Sequence, residues 1–288
     1  MGNAHLYEEN LRKVMAHLHA EFSNDIDQIM DSVAPDPRFA ILTRESGQLE
    51  LEVAEDAVAV RQHYLNLRAS FDVVRSRQIR RLVGDWFVFQ QSVATMRTRP
   101  DADDPEASPH EFPVDTAVFF PIAPGGILGE IPWNRTSFGE AKATRSRHHE
   151  PPTEELMATV DLFEEFLGAW RSGDAKSVVD LLEEECAVAV RDYCAPEGSL
   201  CVATGQEAVR DALAEQFGTW RPEASTILSL VVTDWYVFSN VHWVGRLRTA
   251  SGGWSPHELS MATILPIAAI GRFRAVLGYG TAPAPAPV

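Results

Sequence analysis

A chain of 288 residues, 45% of them hydrophobic and 23% charged, has the make-up of one large or two ordinary globular domains, which excludes a wholly disordered or fibrous protein. Its 41 acidic residues against 25 basic ones leave a formal net charge of -16, a field that repels a phosphate backbone, so no nucleic-acid partner is expected. No apolar run approaches the roughly 20 residues that span a bilayer. Met1 to Glu9 lacks the basic region and apolar stretch of a secretory signal, so neither export nor a membrane partner is expected.

In chain order, His5, His17 and His19 fall on a polar N-terminal helix, where exposure is the default for such residues. Arg75, Arg77, Arg80 and Arg81 are read near the end of a helix-like segment, where the helix dipole favours cations. Arg99 to Pro113, rich in Asp, Pro and Ser, reads as an exposed connector. Pro124-Gly125-Gly126 is a turn between strands and not a phosphate loop, since no Lys-Ser/Thr pair or helix start follows. Arg145, Arg147, His148, His149, Pro151 and Pro152 break any periodic pattern and mark a linker, and the paired histidines read as solvated and not as metal ligands.

Beyond the linker, Val160 to Leu167 spaces its apolar residues for one helical face. Gly173-Asp174 breaks that helix and places Asp174 as the N-cap of a second, Ala175 to Leu182. Ala187 to Asp192 is a short strand, and Gln206 to Phe217 a third helix with Val209, Leu213 and Phe217 on one face. Ile227 to Val232, Trp235 to Thr249, Leu259 to Ile267 and Phe273 to Tyr279 are four antiparallel strands. Cys186, Cys194 and Cys201 form no CxxC pair, so no cysteine zinc site and no metal are expected, and reduced cysteines point to a cytoplasmic protein. Cys186 sits in an apolar run as a small core residue. Neither GxSxG nor HExxH is present.

The most informative feature is an internal repeat. Asp85-Trp86-Phe87-Val88-Phe89 recurs as Asp234-Trp235-Tyr236-Val237-Phe238, an offset of 149. The same offset places Ala59-Val60-Arg61 on Ala208-Val209-Arg210, Asp25 on Asp174 and Asp31 on Asp180. Pro121-Ile122-Ala123 matches Pro266-Ile267-Ala268 at 145, so one loop is shorter in the second copy. Two copies at so long a period mean a duplicated domain, with the plan of the second copy repeated in the first from Leu11 through Trp133. The expected division is a first domain over 1–137, a linker over 138–153, a second domain over 154–280 and an extended Ala/Pro tail over 281–288.

Three helices followed by a curved antiparallel sheet resemble the nuclear-transport-factor-2-like superfamily, in particular its SnoaL-like branch of polyketide cyclases, scytalone dehydratase, ketosteroid isomerases and limonene epoxide hydrolase. The resemblance rests on Ala169-Trp170-Arg171-Ser172-Gly173-Asp174, on Ala187-Val188-Ala189-Val190 and on Gly205-Gln206-Glu207-Ala208-Val209-Arg210. It implies an α+β fold with two tandem cone-shaped domains, each closed by three helices on a bent sheet. It also implies a cofactor-independent lyase, isomerase or cyclase acting on a hydrophobic small molecule in the second copy, with Arg246 as charge stabiliser. Members of the superfamily commonly dimerise, so the two copies are expected to form an intramolecular pseudo-dimer, packed sheet to sheet.

Alternation along the long strand puts Tyr236, Phe238, Asn240, His242 and Arg246 on one mixed face, read as the pocket side. The matching residues of the first copy are Phe87, Phe89, Gln91 and Arg97. Asp192 stands where ketosteroid isomerases place their base, and His242 with Asp192 forms a loose version of the dehydratase dyad, with Tyr193 or Tyr236 as hydrogen-bond donor. The isomerase's oxyanion pair is missing from the second copy, which offers Phe163 or Phe166 and Met261 or Thr263 at those places. Asp115 could meet Arg97, as an epoxide-hydrolase-like pair or as a structural ion pair at the sheet rim. The alternative to an enzyme is a non-catalytic ligand-binding or assembly module, or an accessory subunit of a larger enzyme.

Overall fold

The computed structural model describes residues 4–45, 48–99, 109–136, 153–192, 200–268 and 271–281. The chain divides into two compact units, the first made of residues 1–43 and 50–147, the second containing residues 148–288. Unit 1 runs α1 (Ala4–Ser23), α2 (Ile26–Ser32), β1 (Phe39–Glu45), β2 (Gln48–Ala54), α3 (Ala57–Ser70), β3 (Phe71–Val83), β4 (Phe87–Thr98), β5 (Glu111–Ala123), β6 (Gly126–Ile127) and β7 (Ile131–Thr136). Unit 2 runs α4 (Thr153–Ser172), α5 (Ala175–Asp180), β8 (Leu182–Asp192), β9 (Leu200–Thr204), α6 (Gln206–Thr219), β10 (Trp220–Val232), β11 (Tyr236–Arg248), β12 (Trp254–Pro266) and β13 (Phe273–Thr281).

Each unit folds one mixed sheet, in the order β2-β1-β7-β5-β4-β3 in the first and, read backwards, β9-β8-β13-β12-β11-β10 in the second. A parallel contact falls at the same place in both paths, β1 with β7 and β8 with β13. The fold is therefore α+β with the same plan twice. The tail of the second copy's short strand extends further than expected, from Leu182, and β9 had no counterpart in the periodicity because Leu200–Thr204 is too short to show one.

Local chemistry repeats along with topology. Asp25 and Asp174 both cap the short second helix, accepting from Gln28 N and from Lys176 N and Ser177 N. That helix ends at Asp180 in unit 2, two residues before the expected Leu182. One residue before each cap the chain turns left-handed, at Asn24 (φ 57°) and Gly173 (φ 65°), the two residue types that tolerate it best. The edge strands β3 and β10 bulge at matching positions, after Val73 and Pro222 and again after Gln78 and Ile227, which bends each sheet over its helices.

The four arginines Arg75, Arg77, Arg80 and Arg81 lie in β3 and not at a helix end, which corrects the dipole reading. On an edge strand, long cationic side chains serve another purpose, since they oppose pairing with a foreign strand. His148, His149 and Cys194 lie outside the described residues, as does nearly all of the expected linker. Cys186 is buried, and burial pushes its thiol up to about 11, as expected of a core residue and not of a nucleophile.

Candidate functional site

The side of each sheet that meets the helices is set by the core. In unit 2, Val237, Val241 and Trp243 of β11 join Phe163, Phe166 and Trp170 of α4 in one buried cluster. Successive strand residues point to opposite faces, so Tyr236, Phe238, Asn240, His242 and Arg246 project away from the helices. In unit 1 Val88 packs with Val14 of α1, which puts Phe87, Phe89, Gln91 and Arg97 on the far face as well. The mixed face read as a pocket is thus the outer face of each helix-covered sheet. Alternation alone groups residues by face but does not say which face the helices cover.

The individual candidates are placed as follows. Tyr236, Phe238, Phe87 and Phe89 are fully buried, and Asn240 is buried with its Oδ1 lacking a hydrogen-bond partner. Gln91 is half-buried. His242 is half-exposed and faces Glu258 at 3.5 Å. Its strand, β11, is separated from that of Asp192, β8, by β12 and β13, roughly 14 Å of backbone at about 4.8 Å per strand. The sheet therefore does not bring the His242–Asp192 pair together. Tyr193 lies outside the described residues. Arg246 pairs with Glu223 at 2.8 Å on the surface. Arg97 pairs with Glu111 at 2.5 Å and Asp115 with Arg135 at 2.8 Å, so the expected Arg97–Asp115 pair is replaced by two rungs of rim ion pairs. An open cleft of about 670 Å³ near α5, α6 and β10 is lined by Asp174, which is spent on its cap, and by the exposed pair Arg210–Asp211.

On its helix side unit 2 buries the hydroxyl pair Ser239–Thr263, 2.8 Å apart, whereas the charged groups that the helices enclose lie, among the described residues, in unit 1. His17 of α1 is 0% exposed, against the expectation of a surface histidine. Its Nδ1 lies 2.7 Å from Ser32 Oγ and its Nε2 3.0 Å from the hydroxyl of Tyr64 on α3, itself 1% exposed. Ser32 donates its proton to Ile29 O at 2.6 Å, and Tyr64 donates to Glu130 Oε2 at 2.5 Å. With both hydroxyl protons so committed, both imidazole nitrogens must donate, and the ring is an imidazolium. Glu21 and Glu130 balance that charge from 3.5 and 3.8 Å, each with its side chain about a fifth exposed.

The electrostatics agree with this geometry. Burial alone pulls His17 down, but the nearby carboxylates of Glu130 and Glu21 outweigh it and raise the imidazole to about 9. Burial and the two carboxylates push the Tyr64 hydroxyl well above its ordinary value, so it stays a donor. Glu130 resists the upward push of burial because His17 and Tyr64 hold its carboxylate below the usual range. His17 Nε2 and the carboxylates of Glu21 and Glu130 also lie within 4.8 Å of one another, a ligand set for a divalent cation, but in the present network the Nε2 proton occupies that position.

The signal that could have found this site was the repeat itself. At the offset of 149, His17 falls on Phe166 and Tyr64 on Leu213, both members of the unit 2 core. A polar residue standing on a partner's core position is a buried polar residue, whatever the polarity of its own helix.

No protein-family profile and no curated protein matches the chain. Among solved structures, a ketosteroid isomerase-like protein from Erwinia carotovora atroseptica is 18% identical, with a TM-score of 0.37, over 46% of this chain and 99% of that one. An NTF2-like protein from Burkholderia xenovorans is 12% identical, with a TM-score of 0.37, over 44% of this chain and 90% of that one. An LEH-like epoxide hydrolase from M. tuberculosis is 14% identical, with a TM-score of 0.33, over 44% and 84%. Each of these alignments spans less than half of the present chain.

Proposed function

We propose that unit 1 is a small-molecule site for cofactor-independent proton transfer next to a carbonyl, of the isomerase, lyase or cyclase type. The observation that carries this reading is the enclosed His17–Tyr64–Glu130 network. A carbonyl oxygen placed at Tyr64 would accept the hydroxyl proton now given to Glu130. That frees Glu130, charged at neutral pH, to take the proton from the adjacent carbon. The electron pair moves to the oxygen, where Tyr64 stabilises it, and His17 strengthens Tyr64 by donating to its hydroxyl oxygen. Return of the proton to another carbon gives isomerisation, and departure of a β-hydroxyl gives loss of water.

The test is incubation in D2O with a panel of β,γ-unsaturated and β-hydroxy ketones, with deuterium uptake, double-bond migration and water loss read by mass spectrometry. Tyr64→Phe is expected to slow turnover by about 10²–10³-fold, the usual effect of removing one oxyanion donor, and Glu130→Gln to abolish it. A native protein inert towards the whole panel, or turnover unchanged in both variants, overturns the reading. Unit 2, whose helix side is filled with aromatic side chains, fits the alternative role of a non-catalytic module that supports unit 1.

A further inference from the structure

Arg68 stands one helical turn beyond Tyr64 on the buried face of α3, which reads Val60, Tyr64, Arg68. It is only 7% exposed, and its Nε and Nη1 are buried with no hydrogen-bond partner. No ion pair within 4 Å joins it to an acid among the described residues; its charge acts on Asp72, the acid nearest along the chain, which Arg99 holds at 2.5 Å. The place it occupies is interior by the logic of the repeat. At the offset of 149 it falls on Phe217, which packs edge to face on Trp170 at 5.3 Å, and Trp170 stands where unit 1 has Glu21. A second feature concerns space. Trp243, fully buried in unit 2, corresponds to Ala94, which is only half-buried, so the helix side of the unit 1 sheet carries a methyl group where that of unit 2 carries an indole.

A buried guanidinium with two unsatisfied nitrogens is costly, and a planar fork of donors is matched best by a carboxylate. We infer that the unit 1 cone takes an organic carboxylate, its anionic group held by Arg68 and its body extending toward Tyr64 past Ala94. The inference rests on reading this cone as a ligand site and names the chemical class of the ligand. Val60, Leu67 and Ala94 offer carbon to an apolar body, with the buried Ser92 and Gln90 on the same face of β4 as Ala94.

The test uses the full chain and three probes, benzoate, its neutral isostere benzamide, and inorganic phosphate, followed by calorimetry and by thermal melting. Benzoate is expected to bind and raise the melting temperature, with benzamide and phosphate at least tenfold weaker. Arg68→Met should weaken benzoate at least tenfold and, by removing an unpaired buried charge, keep or raise the melting temperature of the ligand-free protein. No benzoate binding, equal binding of benzamide or phosphate, or a melting temperature markedly lowered by Arg68→Met and also by Arg68→Gln overturns the inference, the last because it marks Arg68 as a structural strut. Ketone turnover without benzoate binding sinks this inference and leaves the proton-transfer reading standing, whereas benzoate binding without any turnover does the reverse.

Discussion

Apart from β6 the two units share element order, and they share sheet order, the cap of the short second helix and the bulges, yet their interiors differ in chemistry. Where unit 1 has His17, Glu21, Tyr64 and Arg68, unit 2 has Phe166, Trp170, Leu213 and Phe217, all four in its core cluster. The pairing of Ala117 with Trp133 and of Ala262 with Tyr279 likewise sets Glu130 against Val276. The same frame thus tolerates either a packed aromatic filling or an ionised network. An aromatic interior stabilises through buried area and dense contact. An ionised interior costs desolvation that only mutual hydrogen bonds offset, and a frame stabilised elsewhere can carry that cost where function requires it.

The sharpest way to break this comparison is to exchange the fillings. Trp243→Ala should cost about 3–5 kcal/mol by urea denaturation, because a fully buried indole leaves a cavity. The reverse change at the matching place, Ala94→Trp, should leave the fold in place and abolish benzoate binding. If Ala94→Trp unfolds the protein while Trp243→Ala is silent, the units have been assigned the wrong way round.

Next in size is a pH effect confined to unit 1. The imidazole of His17, raised from 6.5 to about 9, contributes stability that is fully present below pH 6.5 and is lost as pH rises through about 9. Glu130, lowered from 4.5, works in the opposite sense, its contribution being present above its usual value and lost as pH falls. Ser32, Tyr64, Glu21 and Glu130 all face His17, so the alkaline loss belongs to the cluster and is on the order of 3 kcal/mol. Urea midpoints should fall between pH 7 and 10 in the native protein and stay level over that range in His17→Phe. A native protein with no alkaline decline would mean that the ring is neutral.

The smallest effect tests what the units have in common. Asp25→Ala and Asp174→Ala should each cost about 1 kcal/mol, since each caps the corresponding short helix, Asp25 through Gln28 N and Asp174 through Lys176 N and Ser177 N. A large inequality between them would show that the shared plan does not extend to shared energetics.

Much of the plan was legible in the chain. Asp25 and Asp174 were readable as caps because capping is local chemistry, settled within three or four residues. The strand pair after Trp86 and Trp235 was readable because β-branched and aromatic runs bounded by turns need no distant information. The edge position of Arg75 to Arg81 was not, since a strand rich in arginine and a helix end look alike until a partner strand is found.

The site was hidden for a related reason. Periodicity finds buried residues by their apolarity, so His17, Tyr64 and Glu130, which are enclosed because they bond one another, carry no such mark. They come from α1, α3 and the segment before β7, with Tyr64 standing 47 residues from His17 and 66 from Glu130, and only the closed frame brings its hydroxyl to 3.0 and 2.5 Å of them. The sequence by itself determined that one unit was built twice and where its helices begin. Which face of each sheet the helices cover, and which unit keeps polar groups beneath them, was decided by tertiary packing, because strand alternation is symmetric between faces until something lies on one of them.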